Sequence, residues 1–223
     1  MTPDITADRD VLMLAVLGST AYGLAHADSD LDRLGVFVAP TDEVLGLNGT
    51  QAVDQSVVTH NPDVSLHEVG KFCRLALKGN PTVSELLWAQ RYEVLTETGA
   101  QLVEARQAFL WTSAVRSCYG GYALSQARQV RNQQLRTAKA ARHAVRLLMQ
   151  GTYLLTEGRL VLDVSEHREH LFTMGELAQT DPQAFLDRFE ADLAAFDAVE
   201  SVLPDRPDTE RVERILVELR RAR

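Results

Sequence analysis

The apolar pattern of this chain changes its period once, and that change limits the fold more than any other feature. Up to His67 the apolar residues come in short runs closed by turn signals. Val11–Leu17 ends at Gly18, Leu31–Val38 stops at Pro40, and Val53–Thr59 is parted from Asp63–His67 by Asn61-Pro62. Runs of that length, bounded by Gly, Pro and Asn, predict β-strands. From Val69 onward the spacing is helical. Val69, Phe72, Cys73, Ala76 and Leu77 form one stripe, which Gly79 ends. Asn80-Pro81 predicts the cap and first residue of another short helix reaching Trp88. Tyr92–Thr96 predicts a last strand, and beyond Glu97 the pattern is helical, punctuated by Gly158, Pro182 and Pro204. An α/β front part is thus expected before a helical back part, with the boundary near residues 105–112.

Several function classes are excluded early. No apolar run approaches the ~20 residues that span a bilayer. The start, MTPDITADRD, is acidic and polar and lacks the basic and apolar regions of a signal peptide. A cytoplasmic protein with no membrane partner is therefore expected. The only cysteines, Cys73 and Cys118, rule against a disulfide framework or a cysteine zinc site, and Cys73 reads as a small core residue. There is no Walker A element, so P-loop chemistry is not expected. His167 and His170 read as surface residues, and Trp88 and Trp111 as packing residues. Nothing in the sequence points to a partner protein.

The net charge of −8 argues against general electrostatic binding of nucleic acid. Its distribution is uneven. No Asp or Glu occurs from Ala105 to Thr156, while Arg106, Arg116, Arg128, Arg131, Arg136, Lys139, Arg142 and Arg146 all lie there. Phosphates are the first reading of this basic segment, and acids elsewhere in the fold are the second. Lys139, His143 and Arg146, spaced i, i+4 and i+7, share one helical face and are the expected contacts to phosphate.

The segment that carries chemistry is GSTAYGLAHADSDLD, residues 18–32. An apolar strand ends in Gly18-Ser19 and a short helix is expected to open there, over Thr20–Ala25. Backbone N–H groups at such a start, a small residue permitting close approach and the Ser19 hydroxyl suit a phosphate. Further on, Asp30 and Asp32 flank Leu31. At the start of a strand, residues i and i+2 point to one face, so the two carboxylates converge. Converging carboxylates repel, and a divalent cation with oxygen ligands relieves the repulsion. The bland alternative is that Asp28–Asp32 is only a solvated turn. For a third acid, Asp63 at the start of its strand is the first choice. Glu68 is the competitor, on the opposite face by alternation. Tyr22 and His26 are candidates to meet a base or sugar, and His67 shares the face of Asp63. Lys71 and Lys78 read mainly as exposed lysines, Asn80 as a cap, and Glu85 as a partner for a basic residue.

Gly18-Ser19 followed by Asp30-Leu31-Asp32 resembles the signature of the DNA polymerase β-like nucleotidyltransferase superfamily. The segments DVSLHEVGKFCRLALKGNPTVSELLW (63–88) and KAARHAVRLLMQGTYLLTEGRL (139–160) are similar to a narrower group, the RNA repair pathway DNA polymerase β family. The resemblance implies a small mixed sheet with helices, which agrees with the α+β fold read from the pattern: a nucleotidyltransferase core over residues 1–108 and a helical domain over 109–223. It implies Mg²⁺ (or Mn²⁺) at Asp30 and Asp32, with Asp63 matching the third acid. It further implies transfer of a nucleoside monophosphate from a nucleotide triphosphate such as ATP. Gly18 and Ser19 would hold the β- and γ-phosphates. The acceptor is left open by the resemblance; an RNA 3′ end is the first expectation, from the family's name and the basic helix. A toxin that modifies tRNA or protein is the rival within the enzyme class. A non-catalytic nucleotide- or RNA-binding protein is the rival outside it.

Overall fold

A computed structural model describes residues 6, 9–27, 29–60, 63–132 and 137–221 of the chain. Asp28, the Asn61-Pro62 turn and Arg136 lie outside the described residues. The chain is an α+β protein that divides into two compact units, Met1–Phe109 with Pro207–Arg223, and Leu110–Arg206.

The first unit is built on a five-stranded mixed sheet. Its strands are β1 (Asp10–Val16), β2 (Arg33–Val38), β3 (Ser56–His60), β4 (Asp63–Glu68) and β5 (Val94–Leu95), in the order β3-β4-β2-β1-β5. β2 and β4 run parallel and the other neighbours are antiparallel. One face carries the cluster Leu14, Phe37, Ala39, Ala52, Val64 and Leu66. Gly35 of β2 sits in the middle of it. A Cβ there would come within 2.7 Å of Leu66 Cδ2 and 2.8 Å of Leu14 Cδ1, so the missing side chain is what lets the two leucines meet. By alternation Met13, Ala15, Leu34 and Val36, all buried, face the other way.

The connections follow from local chemistry. α1 (Gly18–Ala21) is a single turn, and α2 (Thr41–Leu45) and α3 (Gly49–Ala52) lie in the Gly/Asn-rich stretch between β2 and β3. α4 (Val69–Leu77) is capped by Glu68, whose carboxylate accepts from Gly70 N at 2.7 Å; the chain leaves it at Gly79, φ +76°. α5 (Pro81–Leu86) opens on Asn80, whose Oδ1 accepts from Val83 N at 3.1 Å, with Pro81 at the first position. α6 (Glu97–Glu104) is capped by Thr96 in the same way, Gly99 N donating at 3.1 Å.

The second unit is helical. α7 (Thr112–Val115) runs through a π-type turn at Arg116–Gly120 into α8 (Gly121–Arg131), followed by α9 (Thr137–Glu157), α10 (Arg168–Thr180) and α11 (Pro182–Ala198). Tyr119, Leu147, Leu155, Leu171, Phe185, Phe189 and Phe196 form its buried interior. Arg116 closes the end of α11, donating to Phe196 O (3.0 Å) and Asp197 O (2.8 Å) and to Val199 O.

The last helix, α12 (Thr209–Arg221), groups with the first unit and not with the helical one. Its Arg220 guanidinium pairs with the fully buried Glu68 and donates to Ala39 O at 3.2 Å, while Thr41 Oγ1 donates to Arg220 O at 3.1 Å. No helix among the described residues is long and apolar enough to cross a membrane.

Candidate active site

β1 closes on Leu17, and the chain turns sharply at Gly18, φ +63°. Leu17 N donates to Asp32 O at 2.8 Å, which ties the two ends of the 18–32 loop together. The Asp32 carboxylate lies directly against Gly18: a Cβ at residue 18 would overlap Asp32 Oδ2 and stand 3.1 Å from its Cγ. Glycine is required here twice over, for its positive φ and for the carboxylate that occupies the space of a side chain. Ser19 follows at once and is half-buried.

Two expectations about this loop need correction. The helix after Gly18-Ser19 is one turn, not the longer Thr20–Ala25 segment, and so short a helix carries little of the dipole that draws an anion. β2 begins at Arg33, so Leu31 and Asp32 precede the strand. The convergence of Asp30 and Asp32 therefore cannot rest on strand alternation. Both are exposed, in the stretch that leads into the sheet.

The parallel register supplies a different relation. Arg33 of β2 is the partner of Val64 of β4, so the residues just before them, Asp32 and Asp63, enter the sheet side by side. Asp63 is half-buried at the head of β4, on the face it shares with Ser65 and His67. Ser56 Oγ and His67 Nδ1 are 2.7 Å apart, and burial, aided by Lys71, lowers the His67 pKa. Glu68, the competing third acid, is spoken for: it caps α4 and pairs with Arg220, with no exposed surface.

Carboxylate oxygens are the right donors for a hard divalent cation, and the chemistry of Asp30, Asp32 and Asp63 fits one. The described residues do not, however, include a preassembled group of three His, Cys, Asp or Glu close enough to hold an ion. A cavity of about 380 Å³ lies elsewhere, between Arg9, Phe37, Pro40 and Glu43 at the far end of β2.

The basic segment divides by environment. Arg106 stacks over Trp88 (4.8 Å), Arg142 lies over Phe172 (4.6 Å), and Arg131 faces Glu190 at 3.7 Å. Of the expected phosphate contacts, all in the second unit, Lys139 is exposed. Arg146 is 3% exposed and donates to Gln150 Oε1. His143 packs edge-on against Tyr122, with ring centroids 4.9 Å apart. Burial, with Arg146 and Lys139 nearby, pushes its pKa down to about 3. It is thus neutral at physiological pH and offers a ring nitrogen, not a charge.

One pair escaped the sequence reading. Glu85 is buried on α5, and the Tyr22 hydroxyl donates to its carboxylate at 2.7 and 2.9 Å. An acid in the mostly apolar VSELLW stretch was the available signal, but Tyr22 lies far back in the chain.

Gly18-Ser19 thus follows the apolar strand β1, and Asp32 and Asp63 stand at the entries of β2 and β4 in one mixed sheet. A model of the RNA repair pathway DNA polymerase beta family matches residues 4–192, and the chain belongs to that family. Among solved structures it is similar to a nucleotidyltransferase-like protein from Exiguobacterium sibiricum 255-15, at 11% identity and a TM-score of 0.33, covering 98% of this chain and 76% of that one. No curated protein matches it in sequence.

Proposed function

We propose that this chain is a metal-dependent nucleotidyltransferase, moving a nucleoside monophosphate from a nucleotide triphosphate to a hydroxyl acceptor. The observation that carries the reading is the placement of the Asp32 carboxylate against Gly18, with Asp63 next to it in the β2–β4 register. Asp30, Asp32 and Asp63 would hold Mg²⁺ or Mn²⁺. The cation, when bound, supplies positive charge for the triphosphate and the leaving pyrophosphate. Gly18 lets the β- and γ-phosphates approach the backbone, and the Ser19 hydroxyl donates to them. The acceptor oxygen bonds to the α-phosphorus as the bond to the β-phosphate's bridging oxygen breaks. Pyrophosphate leaves, and Asp63 takes the acceptor's proton. An RNA 3′ hydroxyl is the acceptor we favour, supported by the family's name.

The test is thermal denaturation with each of the four ribonucleoside triphosphates, with and without Mg²⁺ or Mn²⁺. A ligand that binds only the native state raises the melting temperature by mass action. At least one triphosphate is expected to do so in the presence of metal, and Asp30→Asn/Asp32→Asn is expected to lose that shift. No shift with any triphosphate at millimolar concentration would remove the proposal.

A further inference from the structure

A carboxylate buried in a protein interior is costly unless hydrogen bonds replace its water. Glu85 is 2% exposed, beside Leu86 and Leu87, which show what this position would hold if packing were its only task. Its helix is fixed independently, by the Asn80 cap and Pro81. The Tyr22 hydroxyl reaches it from the 18–32 loop, 2.7 Å from Oε2 and 2.9 Å from Oε1.

Tyr22 is closely linked to the candidate site. Its N–H donates to Gly18 O at 3.1 Å, and Leu24 N donates to Ser19 O at 2.9 Å. Gly23, φ +68°, then turns the chain away. Wherever Glu85 holds Tyr22, the single turn before it, with Gly18 against the Asp32 carboxylate, must follow.

We propose that Glu85 is a positioning residue for the nucleotide triphosphate, acting through the Tyr22 hydroxyl to set Gly18 and Ser19 against Asp32. Glu85 itself touches none of the reacting atoms. The inference rests on the triphosphate reading above, so its test has one arm with nucleotide and one without.

In the full-length chain, Tyr22→Phe removes only the hydroxyl, Glu85→Leu removes the acceptor, and Glu85→Gln keeps an acceptor oxygen. Without nucleotide, amide hydrogen exchange over Ser19–Ala27 is expected to quicken in Tyr22→Phe and Glu85→Leu, with β1, β2 and α5 unchanged. With ATP and Mg²⁺, those two variants are expected to raise the Kd about tenfold, the size of one lost hydrogen bond to a charged group. The double variant is expected to fall short of the sum of the two single losses, because the singles share this bond. Glu85→Gln should fall between wild type and Glu85→Leu. Unchanged exchange in Tyr22→Phe overturns the tether whatever the nucleotide does. Quickened exchange with an unchanged Kd overturns the positioning role. A wild type that binds no triphosphate overturns the functional reading and the ligand assigned here with it, while the exchange data still decide the tether.

Discussion

Arg220→Ala is expected to destabilise the first unit by about 3–5 kcal/mol, the usual consequence of removing one partner from a buried ion pair. Glu68 has no exposed surface, and its carboxylate is divided between the Gly70 N–H and the Arg220 guanidinium. Without Arg220 the buried charge keeps only a backbone donor, and Ala39 O loses the 3.2 Å bond from the same guanidinium. The effect is read from the denaturant midpoint, with an unchanged slope showing that the unfolded state is not involved. Glu68→Gln removes the charge while keeping an acceptor for Gly70, so Glu68→Gln/Arg220→Met is expected to be more stable than Arg220→Met alone. A loss below about 1 kcal/mol in Arg220→Ala, the range of an exposed pair, would mean that the bridge does not hold α12 to the sheet.

Gly18→Ala is expected to lower nucleotidyl transfer at least about 10²-fold, the scale of a displacement of about 1 Å at a reacting centre. Two causes act together. A residue with a Cβ at φ +63° costs about 1–2 kcal/mol of backbone strain. The new methyl must also displace the Asp32 carboxylate, which occupies its place. Any relief of the clash therefore moves either the backbone that faces the phosphates or the acid that faces the metal. The kcat/KM for triphosphate should fall far more than a stability loss of about 1–2 kcal/mol explains, because a folded majority remains. Transfer at the wild-type rate would show that Gly18 and Asp32 do not act as one site.

The strands, the change of period and the caps were legible because their causes are local. Asn80-Pro81 caps and opens α5 as its residue types dictate, and Gly79 leaves α4 with the positive φ expected of it. The pairing of Gly18-Ser19 with Asp32 was legible as a motif. Its geometry was not, since Asp32 lies before the strand and not in it, and its neighbour Asp63 is set by the register of β4. Glu68 and Arg220 are 152 residues apart, and nothing in either local pattern announces the pair. The individual surroundings of the basic segment were not legible for a similar reason. The absence of acids along the sequence does not stop Arg131 from facing Glu190, nor Arg116 and Arg142 from being taken up by carbonyls and an aromatic ring. Tyr22 and Glu85 show the same limit from the side of function, because a buried acid points to a partner without naming it.

Nucleotidyl transfer is tested by following the α- and γ-phosphates separately. The protein is incubated with Mg²⁺ and triphosphate labelled at either the α- or the γ-phosphate, with RNA bearing free 3′ hydroxyls, and with a protein extract in parallel. The α-label is expected to become covalently attached to an acceptor and the γ-label to leave as pyrophosphate, both abolished in Asp30→Asn/Asp32→Asn. Transfer of the γ-label, or release of neither label with Mg²⁺ or Mn²⁺, would contradict nucleotidyl transfer.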